Sequence, residues 1–111
     1  MDVFKLSHSL TIEIYKITEK FPPEEKFGLS SQMRRAAYSI PINIVEGASR
    51  LGTKEYRQFI GIARGSSAEI DYQLLLSRDL GYLSERDYTS LNERYGRVAR
   101  MLTGLIKTLK K

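Results

Sequence analysis

The sequence predicts an antiparallel up-and-down four-helix bundle, and three observations lead to this fold class. Apolar residues recur at spacings of three and four in four long segments, which is the periodicity of an amphipathic α-helix. Short connectors rich in proline or glycine separate these segments. No segment alternates with the period of two that marks a half-buried β-strand. Because 111 residues are too few for two independent cores, we expect a single four-helix domain over residues 1–111.

The first predicted helix ends where two prolines follow it. Its apolar residues share one face, and Pro22 and Pro23 disfavour helical backbone in the residues before them. The apolar stripe consists of Val3, Leu6, Leu10, Ile14, Ile17 and Phe21.

The second predicted helix contains an internal proline. Ser30 or Ser31 is expected to cap it, since a hydroxyl accepts a hydrogen bond from a free backbone N–H group. Pro41 removes a backbone donor and crowds the preceding turn, so the segment is either one kinked helix or two helices broken near Ile40. We favour the kink because the apolar stripe keeps its phase across Pro41. The stripe consists of Leu29, Met33, Ala36, Ile40, Ile44, Gly47 and Leu51.

The third and fourth predicted helices are bounded by glycines and capping residues. Gly52 ends the second helix, Thr53 caps the third and Gly81 stops it. Ser84 and Asp87 resemble a capping box that opens the fourth helix, whose apolar residues form a heptad seam. The third stripe is Tyr56, Phe59, Ile60, Ala63, Ser67, Ile70 and Leu74, and the seam is Tyr88, Leu91, Tyr95, Val98, Leu102, Leu105 and Leu109.

Composition excludes several classes of chemistry. Cysteine is absent, so the chain has no disulfide, no thiolate nucleophile and no sulfur-based zinc site. The net charge of +5 favours anionic partners, nucleic acid first among them. The chain starts with neither a basic leader nor an apolar run, and no segment approaches the roughly 20 apolar residues of a membrane-spanning helix. We therefore expect a soluble, cytoplasmic protein that does not bind a membrane.

The residues needed for catalysis are missing from the sequence. His8 is the only histidine, and no motif surrounds it, so we interpret it as a polar residue on a partly exposed helix face. Glu46 and Glu69 lack the Glu-x-x-His repeat of di-iron bundles, so an ion pair is the favoured use of each. The glycines in the second and third helices lack the Gly-Lys-Ser/Thr ending of a phosphate loop. We expect no enzymatic activity, no catalytic residue, no metal and no cofactor.

The positive charge is concentrated in the fourth helix. Residues 81–111 carry seven basic and three acidic side chains, +4, against eleven and ten, +1, in the rest of the chain. On a helical wheel, five cations lie within roughly 40° of the direction opposite the seam. This basic stripe is either a phosphate-binding face or an ordinary solvated surface that includes Glu93. The stripe consists of Arg86, Arg97, Arg100, Lys107 and Lys111.

Apolar and small residues on two outward helix faces predict self-association. A purely solvated face is rarely so apolar, and two glycines four residues apart in a helix favour close approach of another backbone. The alternative is that packing within one bundle already buries these residues. The faces are Tyr38, Ile42 and Val45 on the second helix, and Gly61, Gly65, Ala68 and Tyr72 on the third. A polar network in such an assembly would consist of Arg34, Arg35, Asn43, Glu46 and Glu69.

The run from Phe27 to Gly47 resembles the four-helix-bundle proteins encoded in intervening sequences of bacterial 23S rRNA genes. The resemblance continues to the early fourth helix, but this chain lacks the tryptophan that many members have near the start. The matching residues are Tyr15, Phe21-Pro22, Gly28-Leu29, Gln32 to Ala37, Ser39-Ile40, Asn43-Ile44 and Glu46-Gly47, then Tyr56 to Ile60, Gly65 to Glu69 and Leu80 to Tyr82.

The resemblance implies an antiparallel bundle that assembles as a ring, commonly a homopentamer. It supplies no catalytic residue. Accessory proteins of diversity-generating retroelements are similar in fold, and they bind nucleic acid together with a reverse transcriptase. By this analogy the partners of the chain would be itself, RNA or DNA, and a reverse transcriptase. Two hypotheses therefore compete: a homo-oligomeric bundle that binds nucleic-acid phosphates, and a scaffold or protein-interaction ring without a nucleic-acid ligand.

Overall fold

The computed structural model describes residues 2–109, which form four α-helices joined by short connectors. α1 and α3 each lie against α2 and α4, so the helices occupy the four corners of a bundle that measures 45 × 24 × 19 Å. This described part contains no β-strand, which confirms the predicted fold class. The helices are α1 (Asp2–Thr18), α2 (Leu29–Ala48), α3 (Thr53–Asp79) and α4 (Glu85–Leu109), and a short 3-10 helix over Pro23–Glu25 joins α1 to α2.

The four apolar stripes meet in one hydrophobic core. Every helix contributes side chains that are fully removed from solvent, and partly buried residues of the stripes pack around them. The heptad seam of α4 faces inward as predicted, with Tyr88, Leu105 and Leu109 at its less buried positions. Burial of this surface is the main force that holds the helices together. The fully buried side chains include Leu10, Ile14, Met33, Ile40, Ile44, Ile60, Ile70, Leu74, Tyr95, Val98 and Leu102.

The predicted boundary between α3 and α4 is confirmed in detail. Gly81 has a φ of 82°, a left-handed conformation that favours glycine. Its N–H group donates to the carbonyl of Arg78, and the N–H of Tyr82 donates to the carbonyl of Ser77, which is the Schellman pattern. At the start of α4, the N–H of Asp87 donates to Ser84 Oγ at 3.1 Å, as the capping prediction requires.

Two predicted N-caps are wrong. α2 begins at Leu29, so Ser30 and Ser31 lie inside the helix, and the carboxylate of Glu25 accepts a bond from the N–H of Leu29 at 3.2 Å instead. A carboxylate at this end is also favoured by the helix dipole. Thr53 is the first residue of α3 and does not cap it, since the N-cap is Gly52, which has no side chain to bond.

The ends of the first two helices also differ from the predicted stripes. α1 ends at Thr18, yet Phe21 in the connector is still buried and packs on the ring of Tyr82 at a centroid distance of 5.3 Å. Leu51 was predicted to be in the core and is fully exposed. The reason is that α2 ends at Ala48, so the helical phase no longer governs where Leu51 lies.

α2 continues through Pro41 as one helix, so the alternative of two helices broken near Ile40 is wrong, and the kink at Pro41 stays a prediction. A proline has no N–H group, so the carbonyl four residues earlier, that of Ala37, receives no bond from the helix backbone at this position. Thr11 of α1 lies beside it, with its Oγ1 at 3.2 Å from the Ala37 oxygen and 2.7 Å from the Ser7 oxygen. The hydroxyl of Thr11 has one proton, which it shares between these two carbonyl oxygens, so it partly compensates for Pro41 across the α1–α2 interface.

Replacing Thr11 by valine is expected to lower the free energy of unfolding by about 1 kcal/mol, because the buried Ala37 carbonyl loses its donor. Urea denaturation followed by circular dichroism measures the change. A double-mutant cycle with Pro41→Ala is the control, since alanine at this position restores an N–H group for the same carbonyl. If Thr11→Val lowered the free energy of unfolding by the same amount with and without Pro41→Ala, the hydroxyl of Thr11 would not compensate for Pro41.

Candidate nucleic-acid interface

The basic stripe lies on the outward side of α4. Arg86, Arg97, Arg100 and Lys107 are all exposed, as the helical wheel predicts. The eleven residues from Arg97 to Lys107 extend over about 15 Å of helix. Lys111, the fifth predicted member of the stripe, lies outside the described residues. The described part of the stripe therefore presents four cations along one helix to solvent.

The cations of the stripe have no carboxylate partner, unlike several other arginines. Within residues 2–109, no carboxylate forms an ion pair with Arg86, Arg97, Arg100 or Lys107. Glu93 lies on the same side of α4 and is also unpaired there. The paired arginines are Arg50 with Glu46, Arg78 with Asp79 and Glu85, and Arg94 with Glu13.

Arg94 lies on α4 but does not contribute to the stripe. It points toward α1, where Nη2 donates to Glu13 Oε1 at 2.8 Å and Nη1 donates to Glu13 Oε2. This bidentate hydrogen bond with Glu13 raises the pKa of Arg94 and joins α1 to α4. Sequence reasoning missed this pair, because the two residues are far apart in the chain and only the bundle brings them together.

The C-terminal half of the stripe has a shallow depression of about 370 Å³. Arg100 and Lys107 lie at its sides, and Gly104, which has no side chain, lies between them. A Cβ atom at Gly104 would meet nothing within 4 Å, so the helix backbone is open to solvent there. The depression therefore places open helix backbone beside two cations of the stripe. The other lining residues are Ala99 and Thr103.

The two faces predicted to form an oligomer interface lie at the surface of the single chain. Tyr38, Ile42 and Val45 of α2 are each more than two-fifths exposed, and Tyr72 of α3 is 62% exposed. A Cβ atom at Gly61 or Gly65 would contact nothing within 4 Å. Packing within one bundle therefore does not bury these residues, and their role in an assembly stays a prediction. Gly61, Gly65 and Ala68 share the outward side of α3.

In the single chain, the five predicted network residues do not form one network. Arg34 faces α1, where it donates to Thr18 Oγ1 at 2.8 Å and to the Tyr15 carbonyl at 3.1 Å. Glu46 forms an exposed ion pair with Arg50 at 3.1 Å. These two residues are separated because α2 directs them to different sides of the bundle.

The other three members of the predicted network lie along the groove between α2 and α3. Arg35 and Glu69 line it with Ser39 and Ser66, whose hydroxyls are 2.9 Å apart. Asn43 donates to the hydroxyl and the carbonyl of Ser39. The structure therefore brings part of the network together, as a polar seam across the α2–α3 interface.

The residues considered for catalysis are not arranged as a catalytic site. His8 is exposed, and its ring stacks on Phe4 at a centroid distance of 6.1 Å. Glu69 accepts a hydrogen bond from Gln73, and Glu46 belongs to the ion pair with Arg50. In the part of the chain that the structure describes, acidic and histidine side chains form no group that could hold a metal ion.

Buried polar atoms without a partner occur in α3 and α4. The hydroxyl of Tyr95 has no hydrogen-bond partner within residues 2–109, and burial raises the pKa of this phenol. Ser67 Oγ and Asp71 Oδ1 are in the same situation, and burial also raises the pKa of Asp71. The heptad seam placed Tyr95 correctly, but its spacing carried no sign that the hydroxyl would be unpaired.

Sequence reasoning missed a second surface, formed by aromatic and basic residues of α1, α2 and the connector between them. Tyr15, Phe27 and Tyr38 line it together with Lys26, Arg34 and Arg35. The signal in the sequence was Phe27, which follows Lys26 in the connector just before α2. Phe27 belongs to neither of the neighbouring apolar stripes, so the pattern gave no reason for it to be buried. We call this surface the aromatic groove, and its remaining lining residue is Ser31.

Comparison with known proteins supports the fold and the resemblance drawn from the motif. The family model described as 23S rRNA-intervening sequence protein matches residues 1–104. A solved structure from Bacteroides thetaiotaomicron VPI-5482, described as a protein with unknown function from the S23 ribosomal protein family, is similar over 95% of both chains, with 25% identity and a TM-score of 0.88. No curated protein matches the sequence. None of the four described helices combines the length and hydropathy that crossing a membrane requires.

Proposed function

The chain belongs to the family of 23S rRNA-intervening sequence proteins, and from this premise we propose that it binds the phosphates of RNA or DNA through the basic stripe of α4, as a homo-oligomer without enzymatic activity. One observation carries the proposal. The cations of the stripe are exposed and unpaired within residues 2–109, whereas three other arginines have carboxylate partners.

A row of unpaired cations gains affinity for nucleic acid by releasing counterions from the phosphates. The contacts are made to the backbone, so they position the ligand without reading its sequence. The stripe has no aromatic side chain on which a base could stack. We therefore expect binding by this surface to be steeply salt-dependent and nearly independent of sequence.

Assembly is the second part of the proposal. The outward faces of α2 and α3 support it, because they expose apolar side chains and bare glycine backbone in the single chain. The family resemblance implies five copies in a ring. Several stripes in one assembly would bind a long nucleic acid more tightly than one chain, since each further contact is intramolecular.

The test is the binding of a labelled structured RNA and a duplex DNA to nuclease-treated protein across a salt series. The variant Arg97→Gln/Arg100→Gln/Lys107→Gln removes three charges. For duplex DNA it is expected to reduce the slope of log affinity against log salt by about 2.7, at roughly 0.9 for each phosphate that is no longer neutralised. Its affinity at low salt should fall by at least tenfold.

The matched control is Lys5→Gln/Lys16→Gln/Lys20→Gln, which removes the same charge from exposed positions on α1 or just after it. It should bind almost as the unmodified protein does. Equal binding by the folded stripe variant and the control would contradict the role of the stripe. If the unmodified oligomer bound no nucleic acid at low salt, the alternative of a protein-interaction ring would replace the proposal.

A further inference from the structure

The aromatic groove is a surface depression of about 330 Å³ between the connector after α1 and the outward sides of α1 and α2. Its most exposed aromatic residue, Phe27, presents 88% of its surface to solvent. Tyr15 and Tyr38 are each about two-fifths exposed on the same surface. Aromatic side chains bury much apolar area when they find a partner, so three exposed rings in one depression indicate a binding surface.

The charge of the aromatic groove has one sign. Lys26, Arg34 and Arg35 line it, and none of its seven lining residues is acidic. Arg34 is held in place by its bonds to Thr18 and Tyr15 and lies over the Tyr15 ring at 4.6 Å. Arg35 is exposed and forms no ion pair within the described residues. These three cations favour an anionic occupant.

We infer that the aromatic groove binds an unpaired segment of RNA or DNA, with a base stacked on Phe27 and the neighbouring phosphates held by Lys26 and Arg35. Single-stranded nucleic acid is recognised by this combination of aromatic faces and cations, because every base has a planar face and every linkage has a charge. A duplex keeps its bases stacked on one another and cannot offer them to Phe27. The groove offers aromatic faces beside cations. An unpaired strand supplies a planar base and a phosphate at every nucleotide, whereas the acidic side chains of a peptide supply charge without a planar ring.

The aromatic groove and the basic stripe are separate sites. The groove is formed by α1, α2 and their connector, the stripe lies on α4, and α2 does not contact α4 in the described bundle. The inference thus goes beyond the proposed function, since it gives the chain a means to distinguish unpaired from paired strands. Tyr38 belongs to the predicted oligomer face and Arg35 to the polar network predicted for the assembly, so the decisive variant is at Phe27.

The test compares an eight-nucleotide oligouridylate with a DNA duplex, both labelled, by fluorescence anisotropy on the intact protein. Phe27→Ala is expected to weaken oligouridylate binding by about 5- to 160-fold, which corresponds to the 1–3 kcal/mol typical for the loss of one stacked base. Duplex binding should change less than twofold. Phe27→Tyr, which keeps an aromatic face, should retain the affinity, and Arg35→Gln should lower both the affinity and its salt dependence.

Leu51→Ala is the matched control, because Leu51 is a fully exposed apolar side chain outside the groove. It should leave oligouridylate binding unchanged. The inference would be overturned if folded Phe27→Ala bound oligouridylate as well as the unmodified protein, if Leu51→Ala lost as much affinity, or if Phe27→Ala changed only the mass of the assembly. The two proposals can fail separately. If the stripe variant bound duplex DNA normally while Phe27→Ala lost oligouridylate binding as expected, the role of the stripe would be rejected and the role of the aromatic groove would stand.

Discussion

Replacing Gly47 by alanine is expected to lower the free energy of unfolding by about 2 kcal/mol, although alanine is the better helix former. Gly47 is buried in the last turn of α2, where α3 begins beside it. A Cβ atom there would lie 2.9 Å from Tyr56 Cδ1, 3.0 Å from Phe59 Cβ and 3.2 Å from the Tyr56 carbonyl oxygen. A backbone oxygen cannot rotate away, so the two helices must separate.

Overpacking of a core typically costs about 1–3 kcal/mol, and three close contacts at one position put Gly47→Ala at the upper end of this range. The higher helix propensity of alanine offsets about 1 kcal/mol of that cost. Urea denaturation monitored by circular dichroism measures the net change. Gly104→Ala is the control, since its Cβ would meet open space and should stabilise the chain by up to about 1 kcal/mol. Similar stability of the two variants would refute the close approach at Gly47.

The double substitution Gly61→Ala/Gly65→Ala is expected to dissociate the predicted assembly without unfolding the chain. Neither added Cβ has a neighbour within 4 Å in the single chain, so intramolecular packing does not oppose it, and helix propensity favours it. A second backbone packed against this face of α3 would be displaced by the new methyl groups. We expect the association constant to fall by at least tenfold.

Light scattering over a range of protein concentrations measures this effect as a loss of mass. Gly104→Ala again serves as the control, because it adds a methyl group to an equally open helical glycine on α4. An assembly of unchanged mass in the double variant would show that α3 is not part of the interface. If the assembly dissociates, affinity for a long RNA should fall as well, while affinity for a single short site should not.

Most of the fold could be predicted from the sequence, because it depends on residues within one or two helical turns of each other. The spacing of apolar residues identified the buried face of each helix, and the heptad seam of α4 was placed correctly from Leu91 to Leu102. Gly81 marked the end of α3 because only a residue without a side chain readily adopts its positive φ. The start of α2 was predicted wrongly because Glu25 of the connector, and not a serine, bonds the free N–H of Leu29. The ion pair of Arg94 with Glu13 was missed because the two residues are distant in the chain.

One candidate site could be predicted from the sequence and the other could not. The basic stripe could be predicted from a helical wheel, because all its members belong to one helix. The aromatic groove could not, since it joins Tyr15 of α1, Phe27 of the connector and Tyr38 of α2. These residues come together only in the folded chain, where the connector and the two helices line one depression.

The sequence by itself determined the helical class, the inward face of each helix and the concentration of positive charge in the fourth helix, because these depend on periodicity and composition. Tertiary structure alone decided how Thr11 satisfies the carbonyl that Pro41 leaves free, why Gly47 must lack a side chain and where three aromatic rings meet three cations. The physical reason is distance. Each of these features depends on atoms from different helices or connectors that lie within a few ångströms of one another, and a linear pattern carries no information about such contacts.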